Sequence, residues 1–326
     1  MAPFRRRRIL TATAATIATP WVLAQSASKP RVALLFGGRP SDSTDFVNAL
    51  LGELRTLGYQ EGRTVEIDAR HADYSPAQAE RLATEIAGRK PAVIVASGGG
   101  IEPAVRLAPP LPVVFVHSGN PVDAGFADSL SRPGRNATGI SLLALDLIVK
   151  RMEFLKQVRP TMQRVAFLAS PEHAGQQREL AASRAAAAQL GVEVLYHEAR
   201  TPGEIAAALP RVTEGRPDAA LVFSDALMLG QREALATFFL THRIPSGAGY
   251  SAFPDSGHVL SYGPERLAVW RRTAHFVDRI IKGALPSSMP IELPTVFELV
   301  INRRSATAMN LVVPQQLMVR ADRVID

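Results

Sequence analysis

Short aliphatic runs alternate with longer amphipathic stretches from residue 31 to residue 283, and this rhythm constrains the fold more than any other feature. Residues 31–36 (RVALLF) and 92–96 (AVIVA) are uninterrupted apolar runs, as expected of strands covered on both faces of a parallel sheet. The stretch 43–57 instead carries Phe46, Val47, Leu50, Leu54 and Leu57 at helical spacing, and Gly58 stops it. A second strand is expected at 64–69. Ser75 then serves as N-cap and Pro76 as first helical residue of a helix over 77–87. A short helix ending at Leu107 is broken by Pro109-Pro110, and residues 112–116 give the next strand.

The pattern then starts afresh. A helix is expected over 142–158, ending before Pro160, then a strand at 164–169 and an alanine-rich helix over 176–190 that Gly191 stops. Strands at 192–197 and 219–223 flank a helix over 204–209; helices over 230–242 and 267–281 flank a short strand at 259–261. Two successive sets of βα units predict an α/β chain with two Rossmann-like lobes built on parallel sheets. A length of 326 residues accommodates two lobes of about 130 residues each.

The first residues have the form of an export signal. Arg5 to Arg8 precede an uncharged run from Ile9, which ends Val22-Leu23-Ala24 before Gln25, so cleavage is expected after Ala24 and the mature chain is expected in the periplasm. Arg6-Arg7-Arg8-Ile9-Leu10 also fits a twin-arginine leader, and the general secretory route and the twin-arginine route both stay open. Removing residues 1–24 takes away four arginines and lowers the formal net charge from +7 to +3. No dense basic stripe with interleaved aromatics remains, which argues against nucleic acid as a partner. The absence of cysteine excludes disulfides, thiolate metal sites and thiol nucleophiles.

Segment 120–141 follows a strand and is crowded with turn formers, and loops beyond the carboxyl ends of parallel strands are where open α/β sheets hold small ligands. Together with 57–65 (LGYQEGRTV), 260–264 (LSYGP), 294–302 (PTVFELVIN), Ala306, 311–314 (LVVP) and 320–325 (RADRVI), it resembles the ABC-transporter substrate-binding proteins of the type I periplasmic binding fold. The particular likeness is to the group that includes tryptophan- and tyrosine-uptake receptors. The resemblance runs from about residue 30 to the end, in order. It implies two lobes joined by a three-strand hinge, a ligand in the cleft between them, and closure on binding. Carried onto this chain, one lobe spans 30–118 plus 263–285 and the other 141–260 plus about 286–326, with 119–140 and 261–263 as hinge crossovers. The implied partners are a small-molecule ligand and an inner-membrane ABC permease; the protein is expected to be a monomer with no cofactor.

The candidate ligand-binding residues lie where strands end. Ser97-Gly98-Gly99-Gly100 stands between a strand and a helix, where free backbone N–H groups favour an anion such as a carboxylate; an ordinary βα turn fits the same glycines. Neither the phosphate-loop nor the dinucleotide spacing is present. The resembled family commonly has Thr or Ser with Pro or Ala here, so Gly99 and Gly100 depart from its pattern. Ser118 and Asn120 follow the strand 112–116; Asn120, where the family often has Asp, also suits a cap for the turn at Pro121. His117 reads as a wall residue. Ser170 and Ser224-Asp225 end strands of the second set. The carboxylate of Asp225 suits an α-ammonium group and equally an N-cap, so both readings stay open. Phe36 and Gly37 end the first strand, and Tyr250 and Tyr262 offer ring faces and hydroxyls.

The chain has no Gly-x-Ser-x-Gly elbow and no His-Glu-x-x-His, and its seven histidines are scattered, so neither catalysis nor a metal site is expected. The reading is therefore an exported receptor that binds a small carboxylate-bearing, amino-acid-like and possibly aromatic solute. The competing readings are a ligand-sensing protein serving a signalling partner and an α/β hydrolase.

Overall fold

The computed structural model describes residues 29–107, 109–142, 145–171, 176–223 and 225–326. The expected signal segment 1–24 and Ser224 lie outside the described residues. The first sheet is wholly parallel and contains β1 (Arg31–Phe36), β2 (Glu66–His71), β3 (Val93–Ser97), β4 (Val113–His117) and β5 (Ala137–Ser141), in the order β2-β1-β3-β4-β5. Between them run α1 (Pro40–Thr56), α2 (Pro76–Gly88) and α3 (Ile101–Leu107). Ser75 caps α2 as its side chain predicted, with Oγ accepting from the Gln78 amide at 3.2 Å.

The second sheet contains β6 (Arg164–Ala169), β7 (Glu193–Glu198), β8 (Ala219–Val222), β9 (Ser246–Ala248), β10 (Leu260–Pro264), β11 (Phe297–Asn302) and β12 (Arg323–Ile325). Its order is β12-β11-β10-β9-β8-β6-β7, and only β10 and β11 are antiparallel. The helices, in chain order, are α4 (Leu145–Val158), α5 (Gln176–Leu190), α6 (Pro202–Glu214), α7 (Ala226–Gly230), α8 (Arg232–Thr241), α9 (Ala252–Asp255), α10 (Arg266–Ile281), α11 (Arg303–Ala308) and α12 (Gln315–Arg320). Of these, α10 returns to the first lobe: Trp270, Phe276 and Val277 pack with Leu50 and Leu54 of α1 over Leu34 and Val95. No helix among the described residues is long and apolar enough to cross a membrane.

The chain crosses between lobes three times, from β5 to α4, from β10 to α10, and from residue 292 to β11. Several expected boundaries move accordingly. Residues 137–141 are a strand of the first sheet instead of a crossover, because β5 pairs with β4 along its length. Residues 263 and 264 stay in the second sheet through their pairing with β11. Residues 289–292 belong with the first lobe: Thr138 Oγ1 donates to the Met289 carbonyl at 2.7 Å, and the Glu292 amide donates to Gly139 O at 3.0 Å. The expected helix 230–242 is α8, preceded by a separate short helix α7 that ends at Gly230, and the expected helix 204–209 is the longer α6, which runs through Pro210.

One buried apolar cluster includes Phe36, Val116 and Trp270 of the first lobe together with Leu168, Val222 and Leu227 of the second. The two lobes are thus in apposition, and their contact continues over the carboxyl ends of both sheets.

Candidate functional site

Two connected cavities lie between the lobes. The smaller is about 70 Å³ and the larger about 550 Å³, and both are bordered by Gly37, Tyr74, Gly98, Ser118, Asp225 and Ala226. The larger falls within the range of small-molecule sites.

The floor is made where two βα loops of the first lobe run against each other. The Gly37 amide donates to the Ser97 carbonyl at 3.0 Å. A Cβ on Gly37 would stand 2.3 Å from the Gly99 amide nitrogen, and Gly98 has a left-handed backbone with φ +56°. A Cβ on Gly100 would meet the Leu35 carbonyl at 2.7 Å; that residue is buried below the loop and borders neither cavity. Backbone conformation at Gly98 and close packing at Gly100 therefore account for two of the three glycines, whereas a Cβ on Gly99 would meet only Gly37 Cα, at 4.0 Å. The chain continues as a three-residue 3-10 turn and the seven-residue α3, a short element for the helix-start anion site expected there.

Most of the other sequence candidates converge on the cavities. Phe36, Ser97 and Tyr250 border the smaller one, and Gly99 and Ser170 the larger. Asp225 is the N-cap of α7, its Oδ1 accepting from the Met228 amide at 2.8 Å, and it also borders both cavities. Two candidates fall elsewhere. Asn120 Oδ1 accepts from the Val122 amide at 2.9 Å and shapes the turn at Pro121. The Tyr262 ring packs edge-on against Phe154 at 5.3 Å, in the core of the second lobe. His117 borders the larger cavity and lies edge-on to Phe126 at 5.3 Å, which makes it a wall residue.

The strongest feature was not a sequence candidate. Arg266, the first residue of α10, borders the smaller cavity. Its guanidinium lies between two rings, 3.9 Å from the centroid of Phe46 and 4.4 Å from that of Tyr250. Nε and Nη1 are buried and have no hydrogen-bond partner among the described residues. Burial lowers the pKa of this arginine to about 10, with the neighbouring Tyr250 acting weakly the other way. The preceding residue, Glu265, spends its carboxylate on the Leu267 and Ala268 amides at 2.9 and 2.7 Å and on Arg271 at 2.9 Å. A cation in the first turn of a helix opposes the macrodipole, and that misplaced sign is the signal in the sequence that marks Arg266.

Behind the sandwich stands a stack of rings. His71 lies on Phe36 at 5.0 Å, Phe36 meets Trp270 at 5.4 Å, and Trp270 lies on Phe46 at 5.6 Å. Tyr74 closes another side. Its hydroxyl donates to Asp42 Oδ2 at 2.6 Å, and burial followed by this bond holds the phenol well above its ordinary pKa. The lobes also meet through Arg232 and Asp42 at 3.8 Å and through Arg178 and Asp123 at 2.7 Å. Among the described residues no cluster of three or more His, Asp or Glu side chains is arranged to hold a metal.

The arrangement is a cleft between two lobes with polar groups contributed from both sides. Comparison with known proteins agrees with it. Residues 41–325 match the family model of the ABC transporter substrate-binding proteins. A tyrosine-binding protein of Clostridioides difficile (strain R20291) is 20% identical over 260 residues, which is 79% of this chain and 74% of that protein. Among solved structures, a conserved domain protein from Vibrio cholerae superposes with a TM-score of 0.86 at 23% identity, covering 91% of this chain and 99% of the other. An ABC domain from Streptococcus pneumonia in complex with L-Trp gives a TM-score of 0.85 at 18% identity, over 91% and 100% of the two chains. The family model spans most of the sequence, and the chain belongs to the ABC transporter substrate-binding proteins.

Proposed function

We propose that this protein captures a small carboxylate-bearing solute of the amino-acid type in the interlobe cleft and presents the closed form to an inner-membrane ABC permease, acting as a monomer. The observation that carries this reading is the pair of opposite charges at the joined cavities, Asp225 from the second lobe and Arg266 from the first. A zwitterion matches both, since charge-assisted hydrogen bonds are strong where water is excluded. The apolar walls contributed by Phe126, Ile101, Ala79 and Leu227 suit an apolar or aromatic side chain. The relatives described as tyrosine-binding and as an L-Trp complex support the same ligand class. Contacts from both lobes are what couple binding to closure, because a ligand shifts the equilibrium only by its preference for the closed state.

Periplasmic residence belongs to this proposal and rests on the form of residues 1–24. Protein recovered from the periplasm is expected to begin near Gln25; a retained Met1 would refute cleavage.

The ligand class is tested by thermal unfolding of the mature protein with the L-amino acids, their amides and their decarboxylated amines. A matching amino acid at a hundred times its Kd stabilises by about 2.7 kcal/mol, which is a readable rise in Tm. The proposed class fails if no carboxylate-bearing compound raises Tm. Native mass spectrometry of the purified protein identifies a solute carried through purification.

A further inference from the structure

We infer that Arg266 is the anion receptor of the cleft and the residue that makes closure depend on ligand, with the solute carboxylate supplying the acceptors for its two buried nitrogens. This rests on the solute-capture reading above and adds the group that recognises the solute and drives the motion.

The geometry carries the argument. The guanidinium is held between Phe46 of α1 in the first lobe and Tyr250, which follows β9 in the second. A cation stacked on one ring from each lobe is enclosed only when the lobes are together; when Tyr250 withdraws, one face of the guanidinium is uncovered. Closing an empty cleft therefore strips water from an ionised group and leaves Nε and Nη1 without acceptors, which is among the costlier things a protein interior can do. Closing over a carboxylate replaces the lost water with hydrogen bonds and a counter-charge. Arginine is the suitable residue because its planar fork meets both carboxylate oxygens while its faces remain stacked on the rings.

The space available fits this assignment. The smaller cavity, at about 70 Å³, has room for a small polar group such as a carboxylate. Asp225 borders both cavities and so shares the smaller one with Arg266. Arg266 also borders a cavity of about 330 Å³ whose acidic residues are Asp42, Asp45, Asp255, Glu265 and Glu298; of these, Glu265 caps α10, Asp42 accepts from Tyr74 and Asp255 pairs with Arg323.

The test uses the mature protein with a labelled cysteine pair, Ala77→Cys in the first lobe and Ala207→Cys in the second; both positions are exposed and the chain has no native cysteine. Spin-label distances are measured without ligand and with each of the L-amino acids. The ligand-free protein is expected to be mainly open, and Arg266→Met is expected to move it toward the short, closed distance with no ligand present. Arg266→Lys, which keeps the charge, is expected to stay open. With an amino acid that binds the wild type, Arg266→Met is expected to lose about a hundredfold in affinity while binding of the corresponding amine changes little. Identical ligand-free distances in wild type and Arg266→Met, or equal losses for acid and amine, overturn the inference and leave solute capture standing. Failure of every amino acid to bind the wild type defeats the ligand class instead, while the ligand-free comparison still decides the role of Arg266 in closure.

Discussion

Asp225 caps α7 and borders both cavities, and a single substitution separates the cap from its proposed part in ammonium recognition. Asparagine is as good an N-cap as aspartate, so Asp225→Asn keeps an oxygen for the Met228 amide and is expected to leave Tm nearly unchanged. It removes the charge from the cavity wall, so amine-bearing ligands are expected to weaken by about tenfold or more relative to their deaminated analogues in calorimetric titration. Equal weakening of both would remove Asp225 from ammonium recognition. His258 governs acid stability. Its Nδ1 lies 2.8 Å from Ser246 Oγ and its Nε2 3.0 Å from the Arg232 carbonyl, an arrangement that suits the neutral ring; burial lowers its pKa to about 4. The unfolded chain takes up a proton below about pH 6.5 and the folded chain does not, so this contribution, present above that pH, is lost as pH falls toward 4. The loss amounts to about 3 kcal/mol. Urea unfolding from pH 7 to pH 4 is expected to show it, and His258→Gln is expected to flatten that limb. The sequence disclosed Asp225 because it follows an apolar strand. It did not disclose Arg266, because an arginine after a glutamate reads as a solvated surface pair until Phe46 and Tyr250 are brought from 220 residues upstream and 16 residues upstream by the fold.

At the scale of elements, strands were legible where apolar side chains fill both faces of a sheet and illegible where the backbone does the work. Residues 31–36 and 164–169 were read with their full bounds. By contrast, β5 (ATGIS) and β9 (SGA) carry mostly small and polar residues, with the backbone of Phe115 crowding Gly139 and the side chains of Leu260 and Leu221 crowding Gly247. Gly139 shows the constraint directly: a Cβ there would lie 2.0 Å from the Phe115 carbonyl oxygen, and φ is +150°. Gly139→Ala is expected to destabilise the first lobe by about 3 kcal/mol or more, read as a lower urea midpoint or loss of soluble protein. A midpoint equal to that of the wild type would show that β4 and β5 have freedom to separate.

For the whole molecule, function lies in how the halves meet. A Cβ on Gly230 in the second lobe would stand 1.9 Å from the Tyr74 hydroxyl of the first, which Asp42 holds in place. Gly230→Ala is therefore expected to obstruct closure: ligand affinity falls by about tenfold, the Tm of the ligand-free protein stays put, and small-angle scattering with saturating ligand reports a larger radius of gyration. An unchanged affinity would mean that Tyr74 swings aside freely. Two halves, alternating βα units and a cleft were all readable along the chain; the meeting surface was not, since Tyr74, Gly230 and Arg178 carry no local pattern that marks them. The stack of rings behind the cleft has a practical consequence. Outside the proposed leader, which holds Trp21, Trp270 is the sole indole of the sequence, and it sits one ring removed from Arg266. Its emission is expected to shift when the cleft fills, an optical gauge that needs no dye.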